Sequence, residues 1–151
     1  MGKTNWKVLA ASFSAVIIAA FIGSMFTDTG SWYESRKSAL TPPDFVFPVV
    51  WTSLFVLIAL SIYFSWVHAK KRQKNGIALL FGINLVLNML WSVLFFGLKN
   101  PLAAFIELIL LWFSILAMIF ATWKIDRKAA LLLVPYLLWV SFAGILNFLF
   151  I

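Results

Sequence analysis

Residues 77–98 read IALLFGINLVLNMLWSVLFFGL. The run carries no formal charge. As a helix rising about 1.5 Å per residue, it is long enough to cross the hydrocarbon core of a bilayer. Yet it contains two amides, Asn84 and Asn88, with Trp91 three residues further on. Positions i, i+4 and i+7 share one helix face, so the three side chains form a stripe. An amide turned to lipid has no hydrogen-bond partner, so the stripe is expected to face the protein interior. Two roles stay open for it. The amides either tie helices together, at around 1 kcal/mol each, or line a ligand cavity.

Composition places the rest of the chain in the same solvent. Of 151 residues, 64% are hydrophobic and 11% charged. A soluble domain is about 45–50% apolar and about a quarter charged, and a chain of this size cannot hide so much apolar surface from water. The formal net charge of +7 sits between apolar runs, which reads as membrane topology and excludes a nucleic-acid partner. With no cysteine and a single histidine, a disulfide framework, a thiol nucleophile and a metal site are not expected.

Five runs are long enough to span: about 8–26, 45–67, 77–98, 102–123 and 129–151. They predict an all-α integral membrane protein, one domain of five transmembrane helices joined mostly by short connections. A β-barrel is disfavoured because the runs are long and do not alternate. The first run follows Lys3 and Lys7, but it is read as a span and not as a cleaved signal, being long for one. Its small residues Ala11, Ala15, Ala19 and Gly23 predict a face for close helix packing. With the N-terminus inside, nine Lys and Arg fall on the inner side and three on the outer (Arg36, Lys37 and Lys99). Positive charge favours the cytoplasm, so the expectation is a multi-pass protein of a prokaryotic cytoplasmic membrane with a cytoplasmic N-terminus. The long first loop, residues 27–44, then lies outside.

Trp6, Trp66 and Trp123 fall at span ends, as interfacial belt residues do. Trp51, Trp91, Trp112 and Trp139 fall within spans. Trp51 and Trp91 reach a similar depth of roughly 10 Å from the outer side. An apolar cavity walled by indoles with a few polar groups suits a flat, aromatic, partly polar ligand. Pro48 is expected to distort the second span and free a carbonyl. Glu107, near the start of the fourth span, either gains from the helix N-terminus or joins a ligand network. Asn147 adds a polar group near the outer end of the fifth span, and His68 is read as a solvated residue at the opposite end.

Several motifs now carry a likeness: SWYES (31–35), LTPPDFVFPVVWTSLF (40–55), NLVLNMLWSVLFFGLKNPLAAFIEL (84–108) and VPYLLWVSFAGILNF (134–148). The chain resembles the translocator protein and tryptophan-rich sensory protein family, also called the peripheral-type benzodiazepine receptor family. The resemblance implies a five-helix bundle, usually a homodimer, with a ligand cavity opening toward the first loop and that loop as its lid. It implies tetrapyrrole ligands such as protoporphyrin and haem, and synthetic isoquinoline or benzodiazepine-type compounds, with membrane lipid around it and no required cofactor. The family's pocket positions match Gly23, Ser24, Pro48, Trp51, Asn88, Trp91, Ala143 and Asn147. Trp32, Tyr33, Phe55, Asn84, Glu107 and Trp139 complete the set of expected ligand-binding residues. Trp51 and Trp139 match tryptophans tied to light-dependent porphyrin breakdown, and no other catalytic residue is expected. The first loop departs from the family: it is one residue shorter and lacks a third proline before Pro42-Pro43. The sterol motif of animal members is absent, so sterol binding is not expected.

Three functions follow. The first is a receptor or sensor for porphyrin-like and other hydrophobic aromatic molecules. The second is a transporter of such molecules, although the chain shows no internal repeat of the kind common in transporters. The third is light-dependent porphyrin breakdown, without an acid–base pair or metal to run it as ordinary enzymology.

Overall fold

Asn5 stops the first helix from fraying: its side-chain oxygen accepts from the Val8 N–H at 3.2 Å. The computed structural model describes residues 4–151; Lys3, one of the nine cations assigned to the inner side, lies outside the described residues. Helix α1 covers Trp6–Ser24, and a single turn, α2, covers Ser31–Glu34 in the first loop. Helix α3 runs Val46–His68 and α4 runs Lys71–Ser92, continued by a π-helical turn at Val93–Gly97. Helix α5 covers Pro101–Trp123, the short α6 Arg127–Leu131, and α7 Val134–Phe148. These form five segments long and apolar enough to cross a membrane. Among the described residues there is no strand.

Two segments depart most from the sequence reading, each for a local reason. The third segment begins at Lys71 and not near Ile77. Residues 71–74, Lys-Arg-Gln-Lys, are good helix formers, and the Gln73 side chain accepts from the Lys70 N–H at 2.8 Å. The fifth segment is two helices. Pro135, near the start of α7, has no N–H to donate and clashes with the preceding turn, so α6 stops at Leu131. The break frees the Ala129 carbonyl, which the buried Ser61 hydroxyl binds at 2.8 Å. Pro48, by contrast, leaves α3 unbroken. It sits in the first turn, where N–H groups have no intrahelical partner.

Asn100 caps α5, accepting from the Ala103 N–H at 3.0 Å, and Pro101 occupies the first turn. Lys99 turns the chain between the π turn and α5 with a φ of 51°.

In the bundle α1 packs on α3 and α4, and α5 packs on α4 and α7. Ile58, Ala59, Ile115, Met118, Leu133 and Tyr136 fill the centre and are fully enclosed. Ile17, Phe21, Ile83, Val86, Leu110 and Phe113 point outward, where lipid is their solvent. The small-residue stripe of α1 divides: Ala19 and Gly23 are buried, but Ala11 and Ala15 are exposed. A four-residue step turns a helix by about 40° beyond a full circle, so a strict four-residue repeat drifts off the packing face. His68 is not merely solvated. Its Nδ1 lies 2.5 Å from Asp126 Oδ2, and Asp126 also caps α6 through the Lys128 and Ala129 N–H groups.

The first loop folds down on the bundle end. Tyr33 is buried and stacks on Phe150 with centroids 5.6 Å apart. Trp32 meets Phe95 edge-on at 5.6 Å.

Candidate ligand cavity

The asparagine stripe of α4 supports a chain of hydrogen bonds. Ser114 Oγ donates to the Leu111 carbonyl at 2.6 Å and accepts from Asn84 Nδ2 at 2.8 Å. Tyr136 donates its hydroxyl to Asn84 Oδ1 at 3.3 Å and accepts from Asn88 Nδ2 at 3.1 Å. One turn further, Trp91 Nε1 donates to Asn147 Oδ1 at 3.0 Å, and Asn147 Nδ2 donates to the Pro101 carbonyl at 2.8 Å. Helices α4, α5 and α7 are thus cross-braced by groups that could find no partner in lipid. Of the two roles left open by the spacing, bracing is present for both amides. Asn84 is wholly buried bracing, while Asn88 both braces and faces a cavity.

That cavity has a volume of about 460 Å³ and lies at the first-loop end of the bundle. The size falls within the roughly 300–1,000 Å³ usual for small-molecule sites. Helix α1 gives it Gly23 and Ser24; α3 gives Pro48, Trp51 and Phe55. From α4 come Asn88 and Trp91, from α7 Trp139, Ala143 and Asn147, and from the first loop Tyr33. Eleven of the fourteen residues singled out in the sequence therefore share one wall.

Three do not. Asn84 lies one turn deeper, behind Tyr136. Trp32 packs outside the wall against Phe95 and Phe150, with the Arg36 guanidinium 5.8 Å above its ring. Glu107 is buried on α5, with neither carboxylate oxygen hydrogen-bonded; it does not line the cavity. Trp112 also points elsewhere, donating to Ser141 Oγ at 2.8 Å beside a separate surface groove between α5 and α7.

The wall contains residues that the sequence reading passed over. Phe95 stacks on Trp91 at 4.9 Å and Phe96 meets Phe95 edge-on at 4.9 Å. Both phenyl rings, carried by the π turn, line the cavity. Phe150 lines the cavity beneath Tyr33 of the first loop. Its signal was present: Tyr136, Trp139, Ala143, Asn147 and Phe150 recur at three- and four-residue steps. Tyr136 itself, the hub of the bracing, belonged to a quoted motif but had no assigned role.

Two polar atoms in the wall lack partners, Trp139 Nε1 and Thr41 Oγ1. Trp51 stacks on Phe55 at 5.5 Å and meets Tyr136 edge-on at 6.3 Å. At the mouth Lys37 Nζ lies 2.8 Å from Glu34 Oε2 and 3.5 Å from Asp44 Oδ1. The Glu34 hydrogen bond foremost raises the pKa of Lys37. Burial raises that of the Tyr33 phenol, with the Asp44 charge adding to it.

Five membrane-crossing segments with an indole-walled cavity under the first loop define a multi-pass integral membrane protein. Residues 12–151 match the TspO/MBR family. The chain is 41% identical over 147 residues to the tryptophan-rich protein TspO of Chlorobaculum tepidum, covering 93% of this chain and 91% of that one. It is 41% identical to the protein of the same name from Archaeoglobus fulgidus, covering 95% of each. Against the translocator protein of Bos taurus identity is 30%, over 87% of this chain and 80% of the relative. The chain belongs to the TspO/MBR family.

Proposed function

We propose that this protein is a membrane receptor for flat, aromatic, largely apolar molecules, porphyrin-like tetrapyrroles among them, which bind in the cavity under the first loop. The observation that carries the reading is the wall itself: Trp51, Trp91 and Trp139 face one space of about 460 Å³. Indoles offer broad apolar faces for a planar ring. Bracing of Trp91 through Asn147 to the Pro101 carbonyl holds one of those faces in place before a ligand arrives.

A second reading has one specific support. Trp51 and Trp139 line the same cavity, so a bound porphyrin excited by light would lie beside two oxidisable indoles, and slow photochemical breakdown would follow from binding. Orientation is inferred from charge. Lys7, Lys70, Lys71, Arg72, Lys74, Lys124, Arg127 and Lys128 sit at the end away from the first loop, against Arg36, Lys37 and Lys99 at the loop end. That asymmetry favours a cytoplasmic N-terminus.

The test is a titration of detergent-purified protein with protoporphyrin in the dark, following tryptophan fluorescence. Saturable quenching at micromolar ligand is expected, weakened about tenfold by Trp51→Phe or Trp139→Phe and unchanged by Trp112→Phe, whose indole faces away. Quenching that does not saturate, or that is identical in all variants, removes the reading.

A further inference from the structure

Residues 70–74 read KKRQK and residues 124–128 read KIDRK. The first stretch opens α4 and the second links α5 to α6. The fold brings them together at the end of the bundle away from the first loop. Asp126 meets His68, two residues before Lys70, and α6 packs on both α3 and α5. The two stretches hold seven cations and one acid. That acid is already engaged: besides His68, Asp126 accepts from the Lys128 and Ala129 N–H groups. Among the described residues none of the seven cations forms an ion pair, and all but Lys74 are exposed. At the first-loop end Lys37 and Lys99 meet acids; here positive charge stands unbalanced.

Two of these cations are held against indoles. Lys74 Nζ lies 5.2 Å from the Trp66 ring centre, and Arg127 Cζ lies 5.4 Å from that of Trp123. Both tryptophans stand at the ends of their spans, the depth at which indoles sit among lipid headgroups. A ring face engages one side of a cation and leaves other N–H groups free to donate to phosphate oxygens. Deeper in the membrane Leu79, Phe120 and Leu131 point outward and offer apolar surface to acyl chains. We propose that this end of the bundle is a binding surface for anionic phospholipid, with Lys74 and Arg127 as the anchors for its headgroup phosphates. A zwitterionic lipid brings its own cation to a positive surface and is repelled in part; a lipid of net negative charge is not. A free phosphate meets the same cations without the gain from chain burial, so the occupant is lipid. The charge asymmetry that orients the chain acts during insertion. Lipid binding is a separate property of the folded protein, measurable in detergent, where no orientation exists.

The experiment titrates delipidated, detergent-purified protein with phosphatidylglycerol and with phosphatidylcholine, both carrying the same brominated acyl chains, and follows quenching of tryptophan fluorescence. Wild type is expected to prefer phosphatidylglycerol by about twentyfold. Lys74→Gln and Arg127→Gln are each expected to lower that ratio about fivefold, and the double variant to bring it near unity. Arg127→Lys, which keeps the charge, is expected to keep the preference, as is Lys99→Gln at the opposite end. Salt at about 0.5 M should weaken the phosphatidylglycerol constant and leave the phosphatidylcholine constant in place. Equal constants for the two lipids, or a ratio that Lys74→Gln and Arg127→Gln move no more than Lys99→Gln does, overturns the proposal. Displacement of phosphatidylglycerol by millimolar inorganic phosphate would show a general anion site and overturn the assignment to lipid.

Discussion

Trp91 on α4 and Asn147 on α7 are joined by a 3.0 Å hydrogen bond from the indole N–H to the side-chain carbonyl. Asn147 passes the connection to α5 by donating to the Pro101 carbonyl at 2.8 Å. One amide thereby satisfies a donor and an acceptor on two neighbouring helices. Asn147→Ala leaves the Trp91 indole N–H without its partner and removes the tie to α5. It is expected to lower stability by about 1–2 kcal/mol, read as a fall in the thermal unfolding midpoint in detergent. Ligand affinity should fall with it, because the Trp91 indole is no longer held. A midpoint equal to wild type would show that the bond contributes nothing.

Tyr136 bridges the two α4 amides, so its hydroxyl serves Asn84 and Asn88 at once. Tyr136→Phe is expected to cost about 1–2 kcal/mol. Asn84→Ala and Asn88→Ala should each cost less in the Tyr136→Phe background than in wild type, since partners in one network are not additive. A double-mutant cycle on thermal or denaturant unfolding measures the coupling, and strict additivity would refute the network.

Two serines of α3 should behave in opposite ways. Ser61 donates to the Ala129 carbonyl that the α6–α7 break leaves free, whereas the Ser65 hydroxyl is buried with no partner. Ser61→Ala is expected to destabilise by about 1 kcal/mol or more. Ser65→Ala removes an unsatisfied polar atom and is expected to be neutral or stabilising by up to about 1 kcal/mol. Unfolding midpoints of the two variants, measured side by side, decide it.

Alkali should loosen the first loop before it loosens the bundle. Burial raises the Tyr33 pKa above its ordinary 10.0, with Asp44 adding to the effect. The folded loop therefore holds the phenolic proton more tightly than the unfolded loop. The stability this adds is complete below pH 10 and is lost as pH rises through the folded value. Absorbance near 295 nm against pH should show a late-titrating component that is missing in Tyr33→Phe. Release of the loop, followed by proteolysis between residues 27 and 44, should track that titration.

The apolar runs announced the helices because lipid-exposed and buried faces are both apolar and only length matters. Asn84, Asn88 and Asn147 announced the interior because an amide has no tolerable place against lipid. Other features were written in longer-range code. Nothing near Trp32 and Tyr33 in the sequence says that Phe95 and Phe150 will receive them; those partners come from α4's far end and the chain's last turn. The α6–α7 break was visible as Pro135, but the apolar run continued through it and hydropathy masked the stop. Glu107, which the sequence left between the helix N-terminus and a ligand network, is buried outside the wall.

The π-helical turn at Val93–Gly97 sets Phe95 and Phe96 together on the cavity. Such a turn holds one residue more than an α-helix of the same course. Deleting a single residue between 93 and 97 would therefore return the turn to α-helix with the course of the segment nearly unchanged, while taking one phenyl ring away from its present place on the cavity. Chain length in this stretch acts as an aiming device: related proteins that differ here by one residue would keep the same helices and yet present differently shaped chambers to their ligands.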